Sequence, residues 1–226
     1  MEALAIVAII LLVIGGIALS YYLKAKRRQE LHSFASQHGM QFSASDPFSL
    51  LGWPFTLFRK GDGRGVENVM WGPWQGKDPI TAFDYWYYTE STDSEGRRTK
   101  SYSRFSCAMI EVAAAFPALE IARENLLTRM ADSMGMEDIE FESPEFNRRY
   151  NVKAKERKFA YELLDARMLD WMVEFDQQLA FEVVGNRILA YRRRTKASGL
   201  TPLIGTLVMF RDRIPKVAWG LYPLSG

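Results

Sequence analysis

The run from Ala3 to Leu23, ALAIVAIILLVIGGIALSYYL, carries no charged side chain. A helix rises about 1.5 Å per residue, so a run of this length crosses a hydrocarbon core of about 30 Å. Inside lipid the backbone must satisfy its own polar groups, and a helix does so while Leu, Ile and Val match the acyl chains. The sequence therefore predicts a transmembrane helix over 1–23, to which everything downstream is tethered. Gly15 and Gly16 are adjacent and lack Gly-x-x-x-Gly spacing, which gives little support for a specific helix partner.

Ala18-Leu19-Ser20 has the small-x-small form of a signal-peptide cleavage site, so a cleaved leader is the rival reading. Charge placement opposes it. Acidic Glu2 stands where a leader has a basic region, and the cations follow the apolar run instead: Lys24, Lys26, Arg27 and Arg28. Basic residues flanking a span stay on the cytoplasmic side, so the expected topology is single-pass in the cell membrane, amino terminus outside and domain inside. Tyr21 and Tyr22 occupy the aromatic belt position, and together with the four cations they form the expected membrane interface. Residues 24–40 read as a basic juxtamembrane helix, with Leu31, Phe34, Ala35 and His38 on one face and a stop at Gly39.

Removing the four cations and Glu2 from 29 basic and 27 acidic residues leaves 25 and 26, so the body of the chain is nearly neutral. A nucleic-acid binder needs a broad positive face, and this balance argues against one. One cysteine, Cys107, excludes an internal disulfide; it lies in RFSCAMIEVA with no His or acidic neighbour and reads as a small interior residue. His32 and His38 are the only histidines and fall on different helix faces, which excludes a helical metal pair. No cofactor signature is present.

Residues 41–226 read as one α+β domain, mainly antiparallel sheet packed with several helices. Period-two patterns predict strands over Phe55–Phe58, Val66–Trp71, Ile80–Thr89 and Ser101–Val112. In ITAFDYWYYT, large side chains fall on both faces, implying a sheet covered at least partly on both sides; core packing is preferred there to a binding platform. RKGDGRG (59–65) lacks a Gly-Lys-Ser/Thr ending and reads as a hairpin loop, not a phosphate cradle. ESTDSEGRRTKS (90–101) reads as a long mobile loop. Leu119 and Ile121 suggest a short strand, Leu126, Leu127, Met130 and Met134 a helix, and Ile139 and Phe141 another strand.

SPEFNRRYNV (143–152) brings Glu145, Arg148, Arg149 and Tyr150 together, an arrangement open to a chemical reading. Ser143 as N-cap, Pro144 at the first position and Glu145 against the dipole predict instead one helical turn with Phe146, Tyr150 and Val152 inward. A helix with Phe159, Leu163 and Leu164 follows, then another capped by Asp165. Leu179–Val184 and Arg187–Tyr191 read as two strands joined by a Gly185-Asn186 hairpin turn. Thr201-Pro202 opens a last helix, and the remainder reads as an extended tail anchored by Trp219.

Five phrases in order, GRGVENVMWGPWQGK, FDYWYY, FPALEIARE, IEFESPEFNRRYNV and ARMLDWM, resemble a bacterial family, frequent in actinobacteria, of small membrane-anchored proteins carrying a domain of unknown function. The resemblance covers about residues 31–175. It implies the anchored architecture and supplies no catalytic residue, cofactor or activity.

The function expected from these features is a non-enzymatic interaction or scaffold domain at the cytoplasmic face, with membrane lipid and an unidentified protein as partners. Arg192, Arg193, Arg194 and Lys196 form a second basic cluster read as a lipid contact, against the alternative of a solvated strand end. The competing reading is an acid- or metal-dependent hydrolase or transferase using Asp84, Glu140 and Glu142; no Gly-x-Ser-x-Gly, His-Glu-x-x-His, Walker or Rossmann signature accompanies it.

Overall fold

In the computed structural model, residues 2–123, 135–175 and 178–224 are described. The apolar run and its basic sequel form one unbroken helix, α1 (Glu2–Gln37). The described side chains of its outer part, to Leu23, are exposed, whereas Leu31, Phe34 and Ala35 are buried in the domain core. The helix ends where Gly39 turns the chain at φ +68°, a backbone setting that favours glycine.

Strands β1 (Gln41–Ser43), β2 (Gly63–Trp74), β3 (Asp78–Thr92) and β4 (Arg98–Arg123) follow as an antiparallel series. β5 (Glu137–Ile139), helix α2 (Pro144–Arg149) and β6 (Tyr150–Ala154) come next, with β6 between β4 and β5. Helices α3 (Arg157–Leu163) and α4 (Ala166–Glu174) lead into β7 (Ala180–Arg193), then α5 (Leu200–Arg213) and α6 (Lys216–Leu221). β4 is the spine: β3 and then β6 pair along one of its edges, and β7 along the other.

One face of the sheet carries Ile80, Ala82, Ala108, Ile110, Leu119 and Ile121 and is covered by the inner part of α1 and by the later helices. The opposite face carries Phe83, Tyr85, Tyr87, Phe105, Cys107 and Tyr191 and is covered by the β1–β2 connection through Leu50, Phe55, Leu57 and Phe58. Cover on both faces extends along β3 to about Asp84; beyond it Trp86 and Tyr88, on the α1 side, are only half-buried and lie outside the core. Helix α2 begins as expected, the Ser143 hydroxyl accepting from the Phe146 N–H, with Phe146, Tyr150 and Val152 buried. Asp165 caps α4 by accepting from the Met168 N–H.

Several expectations are corrected. Phe55–Phe58 is not a strand; the segment contains a 3-10 turn, Leu57–Arg59, so 59–65 links that turn to β2 and is no hairpin loop. The polar 90–101 segment is not a long loop, because β3 and β4 stay paired to Thr92 and Arg98. Asp93 closes the turn, its carboxylate accepting from the Glu95 and Arg97 N–H groups. Leu119 and Ile121 belong to β4 itself.

The predicted 179–191 hairpin does not form either. β7 is one strand, and both of its halves pair with β4; Gly185, at φ +57°, sits opposite Phe116 where the register shifts. The tail after Pro215 forms α6 rather than an extended segment, with Trp219 packed near Phe116. The predicted helix with Leu126, Leu127, Met130 and Met134 lies outside the described residues.

Phe210 of α5 is fully buried and stacks on Phe181 at 4.3 Å between centroids. Phe210→Ala is expected to lower unfolding free energy by about 3–5 kcal/mol in urea titration, and Phe175→Ala, at a position 38% exposed, by far less.

Candidate functional site

Three places concentrate polar chemistry. The first joins α1 to the sheet. Arg27 makes a two-point bridge to Asp84, Nε to Oδ2 at 2.9 Å and Nη2 to Oδ1 at 2.7 Å. Asn68 donates to Asp84 Oδ2 at 3.1 Å from a left-handed bulge in β2, and the Ser106 hydroxyl donates to Oδ1 at 3.4 Å. Ser106 also accepts from the Thr195 N–H at 3.2 Å, tying in the chain after β7. Asp84 is 2% exposed, so this carboxylate is held by its ring of donors and not by water.

The second place is a pair of buried acids on the face opposite α1. Glu120 and Glu182 are direct partners across β4 and β7, each 1% exposed. Glu182 accepts from the Thr56 and Leu57 N–H groups at 2.6 and 2.9 Å and so fixes the 3-10 turn. Neither oxygen of Glu120 has a donor among the described residues. Burial, then the neighbouring Glu120, push Glu182 up to about 8 against the pull of the turn amides and Lys60. Burial likewise raises Glu120, opposed by Lys60 and Lys153. The two titrate as one unit, because a proton on either relieves both. With almost no exposed oxygen between them, they face packed protein rather than a substrate cavity.

The third place is a cleft of about 420 Å³ at the edge of that same covering layer. Phe48, Trp53, Trp71 and Met109 give it apolar walls, and Glu111 and Arg187 form an ion pair in its lining. The Arg187 guanidinium lies 3.0 Å from the Trp53 ring centroid, a cation stacked on an aromatic face. Phe48 is 46% exposed at the rim and meets Trp71 edge to face at 5.1 Å.

The residues singled out in the sequence are distributed as follows. Tyr21, Tyr22, Lys24, Lys26 and Arg28 are exposed on α1, whereas Arg27 turns into the domain to hold Asp84. Of the second cluster, Arg192 pairs with Ser106 in the register, Arg193 lies over the Phe105 ring on the opposite face, and Arg194 and Lys196 are exposed. Asp84 is not brought together with Glu140 and Glu142: β3 and β5 are separated in the sheet by β4 and β6, and both glutamates are exposed. Cys107 is fully buried, and burial drives its thiol well above the ordinary value. No cluster of three or more metal-ligating side chains occurs among the described residues.

The acid pair escapes sequence reasoning, since Glu120 and Glu182 alternate with apolar residues as if facing water. Only the second covering layer buries them.

No protein-family model matches the chain, and no curated protein matches it. The fold is similar to the crystal structure of the mycobacterial trehalose monomycolate transport factor A, with a TM-score of 0.63 at 13% identity. The match covers 88% of this chain and 98% of that one. At this identity the likeness is one of fold.

Two outcomes follow from the buried charges. Arg27→Ala strands a buried carboxylate and is expected to cost about 3–5 kcal/mol in chemical unfolding, with much of the loss recovered when Asp84→Ala is added. The acid pair has raised folded-state values, so the folded chain binds more protons than the unfolded chain between about 4.5 and about 8. Stability is therefore expected to fall as pH rises through that window, and Glu120→Gln to flatten the slope in unfolding titrations across it.

Proposed function

We propose that this protein is a single-pass, non-enzymatic accessory factor of a bacterial cell membrane, holding an interaction domain at the cytoplasmic face. The carrying observation is that α1 is at once long and apolar enough to cross a membrane and locked into the domain by Arg27 and Asp84. A flexible tether leaves a domain free to rotate; this helix presents it in one pose. The cations after the apolar run favour the amino terminus outside.

Tyr21, Tyr22, Lys24, Lys26 and Arg28 seat the helix at the lipid interface, and Arg192, Arg194 and Lys196, linked through Thr195 and Ser106 to the same corner, reach toward anionic lipid. The aromatic cleft of Phe48, Trp53 and Trp71 offers a protein partner an apolar pocket with one fixed ion pair, the composition typical of interface anchors. The likeness to a transport factor supports an accessory role in membrane transport, in which the domain docks a membrane machine. The separation of Asp84 from Glu140 and Glu142 and the sealed position of the Glu120 and Glu182 pair weigh against the hydrolase or transferase reading.

Two measurements on cells test this. A reporter active only in the cytoplasm, fused after Gly226, should be active, and activity of an exterior-only reporter there would reverse the topology. A photocrosslinking residue at Phe48 should capture a discrete membrane protein that the same residue at Tyr161 does not; identical capture patterns at the two positions would remove the cleft as the docking site.

A further inference from the structure

We infer that the β3–β4 hairpin lies along the membrane surface, with the face bearing Trp86, Tyr88 and Tyr102 and the adjacent cations set against anionic lipid headgroups. The inference rests on the proposed anchoring of α1 and adds a second, separate membrane contact.

The His38 ring stacks on Trp74 at 4.8 Å, and Trp74 pairs with Asp78 at the start of β3. Arg27 reaches Asp84. Climbing α1 toward lipid from 38 to 27 therefore follows β3 from 78 to 84. Past Arg27 the helix leaves the sheet, since Tyr21, Tyr22 and Leu23 are 72%, 62% and 55% exposed. β3 nevertheless runs on to Thr92, roughly 26 Å at about 3.3 Å per residue, while the helix has only about 6 Å before its apolar run begins.

A hairpin that long, tipped by Asp93, Glu95, Arg97 and Arg98, cannot continue upward into hydrocarbon. It must bend over into the headgroup layer. When a sheet packed beside a descending helix tips away from that helix, the face that was turned toward the helix becomes the face turned toward the bilayer.

That face has the chemistry of a membrane interface. Strand alternation places Asp84, Trp86 and Tyr88 of β3 on the side of α1, opposite Ser106, Arg104 and Tyr102 of β4. Tyr88 and Tyr102 lie 5.5 Å apart, and Trp86 and Tyr102 6.0 Å. Lys100 sits 4.2 Å over Tyr88, and the Arg104 guanidinium 5.2 Å from Tyr102. The rings lie flat because Gly65 and Gly63 of β2 stand beneath them; a Cβ there would come within 2.7 Å of the Trp86 ring and 2.4 Å of the Tyr88 ring.

Tyr102 is 48% exposed on this layer. The acids on the same face are Glu67, opposite Asp84, and Glu90, which bridges Lys100 at 3.1 Å. Arg98, Arg104 and Arg192 outweigh them. Amphipathic rings bordered by cations suit a headgroup layer, where ring bodies meet acyl ends and charges meet phosphate.

The test uses the full chain in vesicles of mixed zwitterionic and anionic phospholipid, with an environment-sensitive fluorophore on one introduced cysteine at a time, Cys107 being buried. Leu12→Cys reports the anchor, Tyr102→Cys the hairpin face and Val217→Cys, on α6, the solvent. A quencher deep in the acyl layer should reach position 12, and a headgroup-bound quencher should dim position 102 about threefold more than position 217. Arg98→Glu and Arg104→Glu together, which leave the Glu90–Lys100 bridge in place, should abolish that difference without changing the melting temperature.

If position 12 is quenched while 102 behaves like 217, the hairpin contact is wrong and the anchor stands. If position 12 is not reached, the anchor fails and the inference falls with it. Shielding of 102 from water-borne quencher without headgroup quenching means that protein covers the face, and also overturns the inference, as does a charge-reversed variant that keeps the wild-type signal.

Discussion

The bridge between Arg27 and Asp84 settles how the rest of the molecule is arranged. An ionised carboxylate 2% exposed is tolerable only with strong donors on both oxygens, and Arg27, Asn68 and Ser106 supply them from three different elements. Each donor is therefore constrained in turn. α1 must cross the sheet at this point, β2 must bulge to aim Asn68, and the segment after β7 must return so that Thr195 meets Ser106. What reads as the last residues of a basic membrane flank thus becomes a keystone of the domain, and the long apolar helix and the sheet are joined through one residue.

The two acids on the other face illustrate a different compromise. Glu182 reaches across 126 positions to hold the Thr56 N–H, replacing strand pairing with a side-chain cap for the covering layer. Glu120 beside it has no donor among the described residues. A partly satisfied acid inside a packed layer costs stability at neutral pH, but it also links the attachment of that layer to proton binding. The layer in question carries Phe48 and Trp53, the walls of the aromatic cleft.

The local elements were legible because their signals are local. Ser143, Pro144 and Glu145 specify a helix start within three positions, Asp165 another, and an uncharged run specifies the apolar beginning of α1. The failures share a cause as well. Gly185-Asn186 has the composition of a hairpin turn, yet both flanking halves find β4 as partner, and nothing within the segment reveals that β4 is long enough for both.

The 90–101 stretch is polar because neither of its faces is covered by the rest of the domain, while the backbone ladder that makes it a strand pair is indifferent to side-chain polarity. Phe55–Phe58 alternates like a strand, but the carboxylate that shapes it comes from β7. The acid pair and the Arg27 contact are long-range for the same reason: each needs knowledge of which strand lies opposite.

Gly63 and Gly65 have a bearing beyond backbone freedom. At these two positions the surface is shaped by what the chain omits, since single hydrogens set the height at which the Trp86 and Tyr88 rings rest. Alanine at either site would leave the ladder intact but act as a wedge, tilting a ring off its bed and roughening a smooth tile. A single methyl at either site would therefore be felt first in the level of this patch and only afterwards in the fold beneath it.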